Sequence, residues 1–298
     1  MSEPDARHGR RWIGTMRGMT QKRRQAAWVV VAILLFLSVT ATGQVTGTLP
    51  EESIAVLVVP KSGDAMLIDL HTARIVRTIR PLRYASTVTL LDEDTWFVVH
   101  SYSAAIINSD GTEISSLDEP DFQMITSGRI LDNGHVLLGD GEGKWYREYD
   151  WDGTVYWAST GYHWPSDAQR LENGSTLIAD GTSTLKEVDE NGDVVWYASL
   201  GRWALSAERL ENGMTLVGES RAVELLDENG QTIWIEQFEG RMGSVSQWDT
   251  GELIAVDTDN GLVVAMSIAG ERLWVLDVSE LVDIGYGLST AVLWPFDL

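Results

Sequence analysis

The chain has 298 residues, 22 Lys and Arg against 44 Asp and Glu, a formal net charge of −22 at pH 7, and no cysteine. The missing cysteines rule out a disulfide framework, a thiol nucleophile and any cysteine-ligated metal. The acidity argues against nucleic acid and anionic lipid as partners of the charged body, because like charges repel. Charge is also uneven along the chain: residues 1–43 hold seven basic residues against two acids, leaving fifteen against forty-two in the remainder. Lysine is scarce, four against eighteen arginines. An acidic, lysine-poor surface is expected of a protein working in dense salt, which screens self-repulsion to within a few ångströms.

Lys22, Arg23 and Arg24 precede the uncharged run AAWVVVAILLFLSVTATG at 26–43. A bilayer span needs roughly 17–25 mostly apolar residues. Residues 26–45 are therefore expected to form a transmembrane anchor or an uncleaved signal. The basic residues ahead of it make 1–25 a cytoplasmic tail and place the remainder outside the cell. Ala41 and Gly43 also make a small-residue cleavage site, so a removed signal is the alternative.

Beyond the anchor the sequence repeats. ILDNGHVLLGD at 130–140 matches RLENGSTLIAD at 170–180, RLENGMTLVGE at 209–219 and, more weakly, QWDTGELIAVD at 247–257. A second motif follows each copy, with a glycine four residues before Trp157, Trp196, Trp234 or Trp274. Each unit reads as four short strands with turn glycines between them, the pattern of a propeller blade. Counting back in steps of forty residues from Gly134 adds blades at TWFVVH (95–100) and AVLVVP (55–60). The blade of AVLVVP lacks an inner strand, and STAVLW at 289–294 aligns with the inner strand SDAQRL at 166–171. Residues 51–298 are thus expected to form an all-β, six-bladed β-propeller whose C-terminal strand closes the first blade, preceded by one transmembrane helix.

Equivalent positions then fall into rings at one mouth of the ring of blades. The loop entering each blade contributes Arg83, Gln123, His163, Arg202, Gly240 with Arg241 next to it, and Tyr286. The second strand of each blade ends at Pro60, His100, Asp140, Asp180, Glu219 or Asp257. A cationic group of Arg83, His100 and His163 in an anionic rim is placed to bind an anion. Tyr84, Tyr102, Trp164, Trp203 and Tyr286 are near enough to cover an aromatic ring. In the plainer reading Arg202 and Arg241 pair with rim carboxylates. The four blade tryptophans read as packing between blades. Asp257–Gly261 resembles the start of a calcium loop but lacks the distal glutamate and fits a hairpin turn. Asn173-Gly174-Ser175 is a glycosylation sequon on an exposed turn. No cofactor is expected, since there is no phosphate-binding loop, HExxH or GxSxG motif.

The segment HWPSDAQRLENGSTLIADGTSTLKEVDENGDVVW at 163–196 resembles repeats of the arylsulfotransferase-like propellers, including membrane-attached archaeal members, most clearly over 126–238. The resemblance implies six blades and sulfuryl transfer between phenols through a histidine at the axial opening. It makes His163 the nucleophile and His100 with Arg83 the charge stabilisers, assisted by Arg202 or Arg241. The substrate-binding set is then Arg83, Arg202, Arg241, Tyr84, Tyr286, Trp164 and Trp203. The sequence departs from that pattern, because only two histidines reach the mouth. Two functions follow. The first is an extracytoplasmic, membrane-anchored module that binds a small anionic or aromatic ligand or a surface protein. The second is an aryl-sulfate sulfotransferase.

Overall fold

Twenty-five strands in six antiparallel sheets are seen in the computed structural model, which describes residues 43–49, 55–60, 64–79, 85–281 and 288–294. The N-terminal tail and the apolar run at 26–42 lie outside the described residues.

The fourth blade shows how local sequence sets each sheet. Its strands are Asp167–Arg170, Thr176–Ala179, Thr184–Val188 and Val194–Ser199, paired in that order. Gly174 and Gly192 end the two outer hairpin turns with φ of 84° each, a conformation that an L side chain rarely adopts. In the third, fourth and fifth blades the acid that opens the later turn locks it. Asp189 Oδ1 accepts from the N–H groups of Asn191 and Asp193, each at 2.9 Å. Asp150 and Asp227 do the same in the third and fifth blades.

The second strand of each blade is buried on both faces, because it lies between the two neighbouring blades. This explains the unbroken apolar runs AVLVVP, TLIA and LIAVD in place of alternation. The outer strands, such as Arg74–Ile79, face solvent along most of their length. The inner strands touch in ring order, and the sixth meets Leu288–Trp294, which in turn meets the second. Leu288–Trp294 pairs antiparallel with Ala55–Pro60, in the register Ala55↔Trp294. The expected closure of the first blade by the C-terminal strand is therefore present, and so are the six blades.

The blade tryptophans pack between blades as expected. Trp196 Nε1 donates to the Glu228 carbonyl at 3.2 Å and Trp234 Nε1 to the Ile268 carbonyl at 3.0 Å, each in the next blade. In two of the blades an arginine from the next blade also covers the indole. Arg209 lies over Trp196 at 4.6 Å and bonds Glu187 at 3.3 Å. Arg170 repeats the arrangement on Trp157 and Glu148.

One element departs from the sequence reading. Gln44–Gly47 pairs antiparallel with the outer strand Arg272–Asp277 and gives the sixth sheet a fifth strand, so the propeller unit begins upstream of residue 51. Gly43 N also donates to the Ala73 carbonyl of the first blade at 2.9 Å. The segment thus straddles the seam between the last blade and the first. It fits because residue 47 has no side chain: a Cβ there would meet the Leu273 carbonyl oxygen at 2.2 Å.

Candidate functional site

The ring of acids that ends the second strands is buried, not spread over the mouth: Asp140, Asp180, Glu219 and Asp257 are all inaccessible. Asp140 accepts from the backbone N–H groups of Gln123 (2.7 Å), Met124 (3.1 Å) and Gly143 (2.6 Å). Asp257 accepts from Gly240 N (3.3 Å) and from Asn260 N (3.1 Å) and Nδ2 (2.9 Å). That pairing makes the Asp257–Gly261 stretch a loop-fixing turn. Asp180 holds Thr182 Oγ1 at 2.5 Å and Lys186 Nζ at 3.2 Å. These acids pin the mouth loops from beneath.

The basic candidates at the mouth are mostly paired. Arg202 bridges Glu219 at 3.4 Å and Gln237 Oε1 at 2.8 Å. Arg241 holds Asp259 through Nε and Nη2, at 3.2 and 2.7 Å. His163 is exposed on the loop entering the fourth blade. His100 lines a separate cleft of about 620 Å³ with Arg77, Ser103 and Glu113, between the outer strand of the first blade and the second blade. The structure therefore does not bring His100 and His163 into one pocket. Neither imidazole has a polar partner among the described residues. Arg83, Tyr84 and Tyr286 lie outside the described residues. Asn173 is exposed, but its carboxamide is engaged: Nδ2 donates to Glu187 at 3.2 Å, and Oδ1 accepts from Ser175 Oγ at 2.6 Å.

Beside these polar groups the mouth exposes four large apolar side chains, three of them aromatic. Tyr102 is 64% exposed, Met124 38%, Trp164 37% and Trp203 63%. Met124, Trp164 and Trp203 occupy the same repeat position in successive blades, ten residues before the turn glycine. Trp164 is seated against two glycines. A Cβ on Gly141 would meet the Trp164 ring and the Thr126 methyl, each at 3.0 Å, and one on Gly181 would meet Trp164 Cβ at 3.2 Å.

Thr126 also lines the axial cavity, about 430 Å³ in volume, so Trp164 lies one residue outside the wall of that cavity. Ser166, two residues on, lines the same cavity and donates to the Trp164 carbonyl at 2.9 Å. Inside stands a charged group of which the sequence reading placed only Glu208, as an inner-strand residue, and missed Arg129 and Asp167. Arg129 binds Asp167 through Nε and Nη2, with the shortest contact 3.0 Å, and Nη2 also donates to the Ala207 carbonyl. Glu208 Oε1 accepts from Gln247 N at 3.2 Å, and burial pushes its carboxyl above the ordinary range. Asp167 and Gln169 likewise accept from Ala207 N and Arg209 N, one blade on. Each inner strand has one edge unpaired at the axis. In the fifth and sixth blades, polar side chains of the preceding blade satisfy free N–H groups of that edge.

The fifth blade carries a strongly perturbed carboxyl. At the position where the third and fourth blades have Arg147 and Lys186, it has Glu224. Glu219 Oε1 and Glu224 Oε2 are buried without a donor, so the two carboxyls bond only when one is protonated. Burial, then the Glu224 charge, pushes Glu219 up to about 7. The folded chain therefore holds more protons than the unfolded one between the ordinary carboxylate range and pH 7. Stability is greatest below that window and falls as pH rises through about 7. Glu219→Gln is expected to supply the missing N–H and to flatten the melting temperature between pH 5.5 and 8. After allowance for solvent around Arg202, the gain at pH 8 is about 1–2 kcal/mol. Thermal melts of both proteins across that range check this. Glu208 gives a slope of the same sign in both, so the difference isolates the pair.

No protein-family model matches the sequence, and no curated protein matches it. Among solved structures, the chain is similar to a protein of unknown function from Bacteroides caccae, with a TM-score of 0.67 and 19% identity over 82% of this chain and 100% of that one. It is also similar to the WD40 β-propeller domain of Doa1, with a TM-score of 0.55 and 15% identity over 74% of each chain. At these identities the likeness establishes the β-propeller fold alone.

Proposed function

We propose that this chain is an extracytoplasmic, membrane-tethered β-propeller that binds a ligand or partner at its mouth and does not transform it. The carrying observation is the arc of Tyr102, Met124, Trp164 and Trp203, exposed on one face while Arg202 and Arg241 beside it are paired with acids. Large aromatic side chains held by rigid loops supply contact area at little entropic cost, and they dominate binding surfaces. The tether rests on the apolar run at 26–43 and the basic residues before it.

Sulfuryl transfer is the second reading, favoured by one observation: the exposed His163 imidazole next to Trp164 is free of polar partners among the described residues. Such a step needs cationic groups around the developing oxygens. Arg202 and Arg241 are engaged elsewhere.

A photo-crosslinking amino acid separates the readings when placed at Trp203 and, as control, at Asn229 on the opposite-face turn. With full-length protein in its native membrane, a discrete adduct is expected at 203 and none at 229. Equal labelling at both, or none at either, overturns the binding reading. Turnover of a chromogenic phenyl sulfate that is lost in His163→Ala replaces it with the second.

A further inference from the structure

We infer that the cleft between the first and second blades takes an indole ring, free or carried as a tryptophan side chain. This site shares no lining residue with the axial cavity and stands independently of the binding reading above. Its volume of about 620 Å³ lies in the range of small-molecule sites. The cleft exists because one residue of the repeat is missing there. Each outer strand carries a bulge, and the first residue to pair after it is Trp157, Trp196, Trp234 or Trp274 in the third to sixth blades. The first blade has Arg77 at that place and the second has Ser115. Between the second and third blades a ring arrives from the other side: Trp151, on the later turn of the third blade, meets Phe97 edge-on at 6.4 Å. Between the first and second blades no such ring lines the gap among the described residues, and the slot stays open.

The open slot keeps the surroundings that an indole meets elsewhere in the ring. After the fourth blade, Trp196 packs on the apolar cluster that includes Leu226, and its Nε1 donates to the Glu228 carbonyl in the next turn. Trp234 repeats that donation to the Ile268 carbonyl. In the second blade the strand register puts Ile107 where the fifth has Leu226. Ser109 stands two residues before the turn glycine Gly111, as Glu228 does before Gly230 and Ile268 before Gly270. Ile107 and Ser109 both line the cleft, and the Ser109 carbonyl accepts from no described group. Ala105 and Ile107, both buried, give the cleft an apolar floor. Arg77 is exposed and has no partner among the described residues, so its guanidinium is free to cover a ring as Arg209 covers Trp196. The acids at the cleft, Asp110 and Glu113, are open to solvent and screened by it. A flat ring and one N–H donor, not a charge, therefore define the class of ligand.

The test is calorimetric titration of the full-length protein in nanodiscs, with empty nanodiscs subtracted because indoles enter lipid. The probes are indole, N-acetyltryptophanamide and benzofuran, which keeps the shape of indole without its donor. Indole and the amide are both expected to bind saturably. Tighter binding of the amide marks a tryptophan side chain as the source, and tighter binding of indole marks the free ring. Benzofuran should bind about fivefold more weakly, the worth of one neutral hydrogen bond. Arg77→Trp puts the residue of the other blades into the slot, so it should abolish binding and raise the melting temperature. Arg77→Ala leaves the slot open without its covering cation and should weaken binding about threefold. Ala105→Leu raises the floor and decides the matter if Arg77→Trp folds poorly. The inference is overturned if neither indole nor the amide binds beyond empty nanodiscs, if a folded blocking variant binds as before, or if benzofuran binds as tightly as indole. A crosslinked adduct at position 203 with no indole bound would sink this site alone and leave the mouth reading standing.

Discussion

A chain ended at residue 287 is expected to lose cooperative unfolding altogether. The closing strand Leu288–Trp294 supplies the inner partner of Ala55–Pro60, a strand buried along its whole length. Without it six register pairs disappear, at about 1 kcal/mol for each backbone hydrogen bond. The apolar cluster shared by Val56, Val58, Ile254 and Ala291 also opens to water. The summed loss is about the size of the whole stability of a typical domain, about 5–15 kcal/mol. The sheets on both sides suffer as well, since the closing strand touches the inner strands of the second and sixth blades. A synthetic peptide spanning residues 285–298, added in trans, should restore a single melting transition. A truncated chain that melts cooperatively within a few degrees of the intact protein would show that the ring does not depend on this closure.

The count of blades was legible because each turn needs a glycine at positive φ, and Gly134, Gly174, Gly213 and Gly251 keep their spacing. The tryptophans were legible for a related reason: they fill the same wedge between neighbouring blades each time. The strand Gln44–Gly47 was not, because four residues of mixed character bear no periodic signal, and their pairing is decided by the crowded backbone of Leu273 and Trp274. The role of the mouth acids was half legible. Repeat spacing located Asp140 and Asp257 correctly, but it carries no information on direction, and both turn inward to the loop N–H groups. The axial charges were the hardest to see. Thr89, Arg129, Gln169, Glu208 and Ser246 occupy one repeat position, and no two of them are alike. A position that changes in every blade looks like noise in a repeat alignment. In space it is where the blades meet, and where a repeated scaffold acquires an asymmetric site.

That inward turn of the acids has a measurable consequence at Asp140. Its carboxylate is fully buried and receives three backbone N–H groups, from Gln123, Met124 and Gly143. Asp140→Ala leaves all three donors unanswered, each costing about 1–3 kcal/mol where water cannot reach it. Water reaching the loop offsets part of this, so the expected loss is about 3–4 kcal/mol in denaturant unfolding. Asp140→Asn should lose more than half as much, because an amide keeps one acceptor but points a donor at N–H groups. Asp150→Ala removes an acid that also accepts two N–H bonds, but in an exposed turn where water replaces it, and should cost under about 1 kcal/mol. The same variant reports on the site. Met124 and Thr126 follow directly on the pinned loop, and Thr126 Oγ1 bonds the Pro165 carbonyl next to Trp164. Releasing Gln123 and Met124 should therefore loosen the lip of the axial cavity, seen as faster amide exchange at 164–166 while Asp150→Ala leaves exchange there unchanged. Equal stability losses in Asp140→Ala and Asp150→Ala would show that the buried acids are ordinary turn residues, and that the mouth loops are held by something else.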